Sequence, residues 1–197
     1  MRIDQAKQAI RTRVWDLLER ESVVEPGVHG YIPTFHGADA AAARLARLSS
    51  WQATGVIKAV PDTAQQPVRE RALRDGKLLY VAVPRLADVQ PFYVLDPGTL
   101  TAPPAEAAST EWAAGSAVKV GVTAMRPVDM VVCGSVAVNR HGARLGKGAG
   151  YSDLEVALLQ EAGLISSRTV IVTTVHLSSE QIGAIPVLAA MAAARDA

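Results

Sequence analysis

The sequence predicts an α/β fold in which a mainly parallel central sheet is flanked by helices, and three observations carry that prediction. Apolar runs of strand length recur at residues 56–60, 77–84, 91–95, 128–138 and 169–175. The longest of them, VDMVVCGSVAV at 128–138, is nearly continuous rather than alternating, as a strand covered on both faces requires. Between these runs lie stretches with helical spacing, so that strand and helix alternate along the chain. No linker composition divides the 197 residues, and a single α/β domain spanning 1–197 is expected.

Taken in order, residues 3–21 carry Ile3, Ile10, Val14, Leu17 and Leu18 on one helical stripe. Asp39 is placed to cap a second helix through AAAARLARL, ending near Trp51. VIKAV at 56–60 reads as a short buried strand; PDTAQQ then leads into a helix through VRERALRDG, with Gly76 as its stop. KLLYVAVP at 77–84 and PFYVL at 91–95 supply the next strands. Residues 96–117, rich in Pro, Gly, Ala, Ser and Thr, are expected to form a long excursion with one helical turn. After 128–138 come a glycine-rich loop, a helix from about Ser152 to Ala162, and the strand TVIVTTV at 169–175.

Composition narrows the function. Apolar residues make up 49% of the chain, which favours a packed core over wholesale disorder. A formal charge of +1 gives no global attraction to nucleic acid or to an anionic membrane, so any anion site must be local. The single cysteine, Cys133, excludes an intrachain disulfide and a Cys-based structural zinc site, and its place in a strand makes it a small buried hydrophobe. The start, MRIDQAKQAIRTR, has charges where a signal peptide needs an apolar stretch, and no apolar run reaches membrane-spanning length. A soluble, cytoplasmic protein is the expectation.

The chemistry concentrates in RLGKGAGYSD, Arg144 to Asp153. Gly146, Gly148 and Gly150 follow a strand and precede a helix, where successive amides and the helix N-terminus can cradle an anion. Arg144 and Lys147 add charge, and Asp153 beside bound phosphates suits Mg²⁺, which takes one or two carboxylates plus phosphate oxygens. The plainer reading is a mobile loop with Asp153 as a helix-favouring acid. The loop matches neither the Walker pattern nor the dinucleotide fingerprint. Far upstream, Lys7 and Arg11 lie one turn apart beside the apolar stripe of the first helix. Either they snorkel, or both reach phosphates held by the loop.

Lys7-x-x-x-Arg11, together with VDMVVCGSVAVNRHGARLGKGAGYSD, resembles the 5-formyltetrahydrofolate cyclo-ligase (methenyltetrahydrofolate synthetase) family, whose pattern is a hydrophobic strand followed by D-x-x-G-x-R-L-G-x-G-x-G-Y-Y-D. The stretches YIPTFHGADAAAARL, VIKAVPDTAQQPVRERALRDGKLLYVAVPRL and PFYVLDP are most similar to its cyclo-ligase-like branch. The resemblance implies a fold akin to the sugar-phosphate isomerase and CoA-transferase group. It implies ATP bound by Lys7, Arg11, Arg144, Leu145, Gly146, Lys147, Gly148, Ala149, Gly150, Tyr151 and Ser152, with Mg²⁺ at Asp153 and with Lys147 and Arg144 in the catalytic role. The implied reaction phosphorylates the formyl oxygen of 5-formyltetrahydrofolate, after which a nitrogen closes on the activated carbon to give 5,10-methenyltetrahydrofolate, ADP and phosphate. The implied partner is therefore a small molecule, a reduced folate or similar N-acyl heterocycle, and no nucleic acid or membrane.

Three departures accompany the likeness. The segment around Lys58 and Pro61-Asp62 sits where true cyclo-ligases carry substrate-side polar residues in a different arrangement. Ser152 stands where the family pattern has a second tyrosine, and the segment from about residue 177, ending SSEQIGAIPVLAAMAAARDA, lacks the expected acidic pair and last strand. They support an alternative: an ATP-binding cyclo-ligase-like protein with an accessory or regulatory role. Among other residues, His176 follows a strand, as a general acid or an ordinary loop histidine. His29 and His36 flank GYIPTF, as a pterin-stacking wall or as packing over the first helices. Lys58 and Asp62 bracket Pro61, to orient substrate or to pair on a loop. Arg69, Arg71 and Arg74 read as a solvated helix face.

Overall fold

The computed structural model describes residues 3–177, so the divergent tail beyond Leu177 lies outside the described residues. The chain opens with helix α1 (Ile3–Arg20), followed by α2 (Ala38–Leu45) and the single turn α3 (Ser49–Gln52). Strands β1 (Val56–Ala59) and β2 (Leu78–Ala82) enclose α4 (Gln66–Arg74). Next come β3 (Phe92–Leu95), α5 (Pro104–Ala107), α6 (Thr110–Ser116) and β4 (Val118–Val120). The second half contains β5 (Met130–Cys133), the short strands β6 (Ala137–Val138) and β7 (Arg144–Leu145), α7 (Tyr151–Glu161) and β8 (Val170–Thr173).

Six strands form one sheet in the order β4-β3-β2-β1-β5-β8. Pairings β2–β1, β1–β5 and β5–β8 are parallel, while β3 and β4 add an antiparallel edge. The expected mainly parallel α/β architecture is what the chain adopts. Each central strand presents alternate residues to the two covering layers. Ile57, Leu79 and Met130 pack with Trp51, Val68 and Leu73 on the α2–α4 side. Val56, Tyr80 and Val131 pack with Leu159 and Leu164 on the α7 side. Both faces are apolar, which is why these strands read as continuous runs. A third cluster seats Trp15 and Leu18 of α1 against Val24, Val28, Ile32 and Phe35.

Several local expectations change. Asp39 does not cap α2: the N-cap is Gly37, in the left-handed region at φ 88°, and Asp39 sits in the first turn. The excursion at 96–117 holds two helices, α5 and α6, and Ser109 caps the second by accepting from the Trp112 amide. The run 128–138 is not one strand. It leaves the sheet after Cys133, and Ala137 and Val138 pair instead with Leu145 and Arg144 in a separate hairpin. The chain departs at Gly134, where a side chain would crowd Ile32 and Asp62. Composition alone could not distinguish the two halves, since both are apolar. The hairpin carries the glycine loop away from the sheet and back to α7.

Candidate functional site

A cleft of about 1130 Å³ opens where β1 and β2 end, at the C-terminal side of the parallel strands. Its walls are α1, the loops after β1 and β2, and the segment 146–153. Lys7, Arg11, Arg85, Arg144 and Lys147 all line it, five cations around one opening. Four carboxylates, Asp4, Asp62, Asp153 and Glu155, share the lining, so the cleft as a whole carries only a small excess of positive charge. Every residue from Gly146 to Asp153 borders the cleft; Leu145 is half-buried in β7 just behind it.

The N-terminal helix and the glycine loop, far apart in sequence, meet here. Arg11 Nε donates to the Gly146 carbonyl at 2.7 Å. The same guanidinium lies 3.7 Å from the position a Cβ on Gly148 would occupy. Gly148, with φ 114°, takes a backbone conformation that side-chain-bearing residues rarely adopt, and so lets the arginine and the loop approach. Gly150, with φ 75°, is the N-cap of α7, and no side chain caps that helix end. Amides at such an end favour an anion. Lys7 and Arg85 make no ion pair or hydrogen bond among the described residues and are exposed in the cleft.

The loop cations are held by carboxylates. Arg144 Nη2 donates to Asp153 Oδ1 at 2.5 Å, and Lys147 Nζ donates to Asp62 Oδ1 at 2.9 Å. Both pairs are partly exposed, so each contributes little to stability. Asp153 is 80% exposed on its side chain. Among the described residues, no group of three or more His, Cys, Asp or Glu converges as a self-sufficient metal site. Asp153 is thus a single exposed carboxylate at the cleft, paired with Arg144.

Two buried charges support the cleft from behind. Lys58 lies in β1, within the buried strand expected at 56–60, and its Nζ donates to Glu155 Oε2 of α7 rather than to Asp62. Its partner is Glu155, and Asp62 pairs with Lys147 instead. Burial pushes the Lys58 ammonium down to about 8, with Cys133 and Asp62 opposing the shift and Arg144 adding to it. Arg69 is not on a solvated face: it is 1% exposed, whereas Arg71 and Arg74 are exposed and pair with Asp75 and Glu70. Arg69 Nη1 donates to the carbonyls of Val60 at 2.7 Å and Asp62 at 2.9 Å, while Nε donates to the Ala108 carbonyl. Thr110 Oγ1 holds the intervening Pro61 carbonyl. The signal available was positional, since Arg69 shares its helix face with Gln65 and Ala72, both buried.

Histidines singled out from the sequence do not enter the cleft. His29 pairs with Asp16 at 3.0 Å and packs its ring near Trp15, and His36 sits 3.5 Å from Glu25. His176 lines a separate pocket of about 340 Å³ between α1 and the end of β8. Its ring meets Phe35 edge-on at 6.0 Å.

Comparison with known proteins decides the family. The family model described as the 5-formyltetrahydrofolate cyclo-ligase family matches residues 3–189. The chain belongs to the 5-formyltetrahydrofolate cyclo-ligase family. Among its relatives is a methenyltetrahydrofolate synthase domain-containing protein of Mus musculus, 36% identical over 178 residues, which takes in 87% of this chain and 47% of the relative. The Bos taurus protein of the same name is 36% identical, with 87% of this chain and 46% of its own length covered. That of Homo sapiens is 34% identical, with 87% and 45% covered. The chain therefore spans about half the length of the curated relatives it matches. The family match includes α1, the hairpin and α7, the three elements that bring Arg11 to the glycine loop.

Proposed function

We propose that this protein is an ATP- and Mg²⁺-dependent cyclo-ligase that converts 5-formyltetrahydrofolate to 5,10-methenyltetrahydrofolate, working as one domain in the cytoplasm. The observation that carries the reading is the contact of Arg11 with Gly146 and Gly148, which gathers the cations of two distant segments around one cleft. In the reaction, the formyl oxygen attacks the terminal phosphorus of ATP and the bond to the ADP oxygen breaks. The second nitrogen then attacks the formyl carbon, phosphate departs, and that nitrogen loses its proton. A formamide oxygen is a poor leaving group, and phosphorylation converts it into a good one.

The residues divide this work. Lys7 and Arg11 hold the polyphosphate from the α1 side, and the backbone from Leu145 to Ser152 cradles it from the loop side. Lys147 and Arg144 leave their carboxylates and stabilise charge on the phosphoryl group in transfer. Asp153 would hold Mg²⁺, which would supply charge neutralisation to the polyphosphate. Lys58 and Arg69 fix α7 and the β1 exit loop in place.

The direct test mixes the purified chain with ATP, Mg²⁺ and 5-formyltetrahydrofolate and follows the near-ultraviolet absorbance of the methenyl product. Stoichiometric ADP and methenyl product are expected. ATP binding with no product at high enzyme concentration would reject folate turnover. That result would favour a second reading, for which Ser152 in place of a tyrosine speaks: an ATP-binding accessory protein. Such a protein is stabilised against heat by ATP without consuming it.

A further inference from the structure

Beside the phosphate cleft lies a second cavity of about 400 Å³, which none of the phosphate-handling groups on α1 or the glycine loop enters. One wall is the segment 24–34 that follows α1. This wall is anchored at several points. Glu19 Oε1 accepts from the amides of Gly27 at 2.7 Å and Val28 at 3.0 Å. Trp15 Nε1 donates to the Tyr31 carbonyl at 3.1 Å, and Val24 bridges to Phe35. A wall held in this way is preorganised for a ligand. The facing wall comes from the loops after β1 and β2 and from Thr110.

The two cavities share Ile32, Pro61, Asp62 and Pro84. Asp62 is the charged member of that set, and it is engaged on the cleft side by Lys147 at 2.9 Å. Its backbone carbonyl is fixed by buried Arg69, so the carboxylate sits at the boundary on an immobilised loop. The second cavity has no lysine or arginine in its lining among the described residues; its charged groups are Glu25 and Asp62. Glu25 is turned toward His36, which leaves Asp62 to meet a ligand. Three prolines and the Tyr31 ring, 65% exposed, supply flat apolar surface. An anion is disfavoured in such a pocket, and a flat ring carrying N–H donors suits it.

On the cyclo-ligase reading this cavity takes the acceptor, a planar heterocycle with N–H donors; we propose that Asp62 couples it to the phosphate cleft by changing partners. A polyphosphate offers Lys147 a partner of higher charge than one carboxylate. Lys147 leaves Asp62, and the freed oxygen accepts an N–H of the heterocycle. Occupancy of the first cavity thereby strengthens binding in the second, and by linkage the reverse holds to the same factor. The word acceptor rests on the cyclo-ligase reading; the exchange of partners does not.

Calorimetric titrations on the whole chain test this, with inorganic triphosphate and 5-formyltetrahydrofolate as probes, each alone and in the presence of the other. In the wild type, each probe is expected to tighten the other several-fold. Asp62→Asn is expected to bind triphosphate more tightly, because the competitor for Lys147 is gone, and to lose the mutual strengthening. Tyr31→Ala is expected to weaken the folate about tenfold, the size of a lost stacking contact, with triphosphate unchanged. Mutual strengthening that survives Asp62→Asn, or triphosphate binding weakened by it, overturns the proposal. If coupling behaves as expected but no methenyl product forms, the catalytic reading fails and the coupling stands. If product forms but Asp62→Asn keeps the coupling, the reverse is true.

Discussion

At Gly134 the end of β5 passes between two groups that a side chain would displace. A Cβ there would stand 3.0 Å from Ile32 Cγ1 and 3.1 Å from Asp62 Oδ2. Ile32 is buried in the cluster under α1 and has little room to yield, and the Asp62 carboxylate can turn aside only by straining its pair with Lys147. Gly134→Ala is expected to cost about 1–3 kcal/mol of stability, as overpacking does, with the midpoint of urea unfolding as the readout. The cations of the cleft answer to a binding measurement instead. Lys147→Ala and Arg11→Ala should each weaken ATP affinity, by about 1.5–3 kcal/mol where a charge-assisted hydrogen bond is lost. Asp153→Asn should mainly abolish the Mg²⁺ dependence of binding. ATP titrations unchanged in all three variants would dismantle the site.

Helix α7 and strand β1 are joined by an ion pair that crosses the interior, Lys58 to Glu155, on the face otherwise packed by Leu159 and Val131. Removing one partner strands the other as a buried charge, so Glu155→Leu should cost about 3–5 kcal/mol in urea unfolding. The double variant Lys58→Met, Glu155→Leu should recover most of that loss, because an apolar pair needs no compensation. A double variant as unstable as the single one would show that the pair itself, rather than the isolated charge, holds the helix. The same pair marks what the sequence could not reveal. Strands β1, β2 and β5 were legible because both their faces are apolar, and Arg11 was legible as a cation flanking an apolar stripe. The burial of Arg69 and the pairing of Lys58 with Glu155 are not legible, because a charged side chain is exposed far more often than it is buried and only the three-dimensional partner decides. The end of β5 is illegible for a related reason: Val136 to Val138 are as apolar as the residues before Gly134, and only their distant partners, Leu145 and Arg144, show that they have left the sheet.

Across the molecule, α1 is the element on which both cavities and the His176 pocket depend, and pH offers a way to probe its seat. Burial pushes the His176 imidazole below its ordinary value, with Glu21 opposing the shift and His36 adding to it. Its Nδ1 is buried without a hydrogen-bond partner among the described residues. The folded chain therefore resists a proton that the unfolded chain accepts at about pH 6.5. Stability that is fully present above that pH is lost as pH falls through the lowered value. A second loss follows on further acidification. The amides of Val28 and Gly27 hold Glu19 below the carboxylate range, and Lys119 does the same for Asp88. For Asp75, partial burial is outweighed by hydrogen bonds from Arg71 and Trp51. The unfolded chain thus protonates these groups first, from about pH 4 downward. Urea midpoints should decline in two stages on acidification, and His176→Gln, which carries no titrating ring, should lack the first while keeping the second. An identical decline in both chains between pH 7 and 5 would remove His176 as its cause and detach the seat of α1 from that pocket.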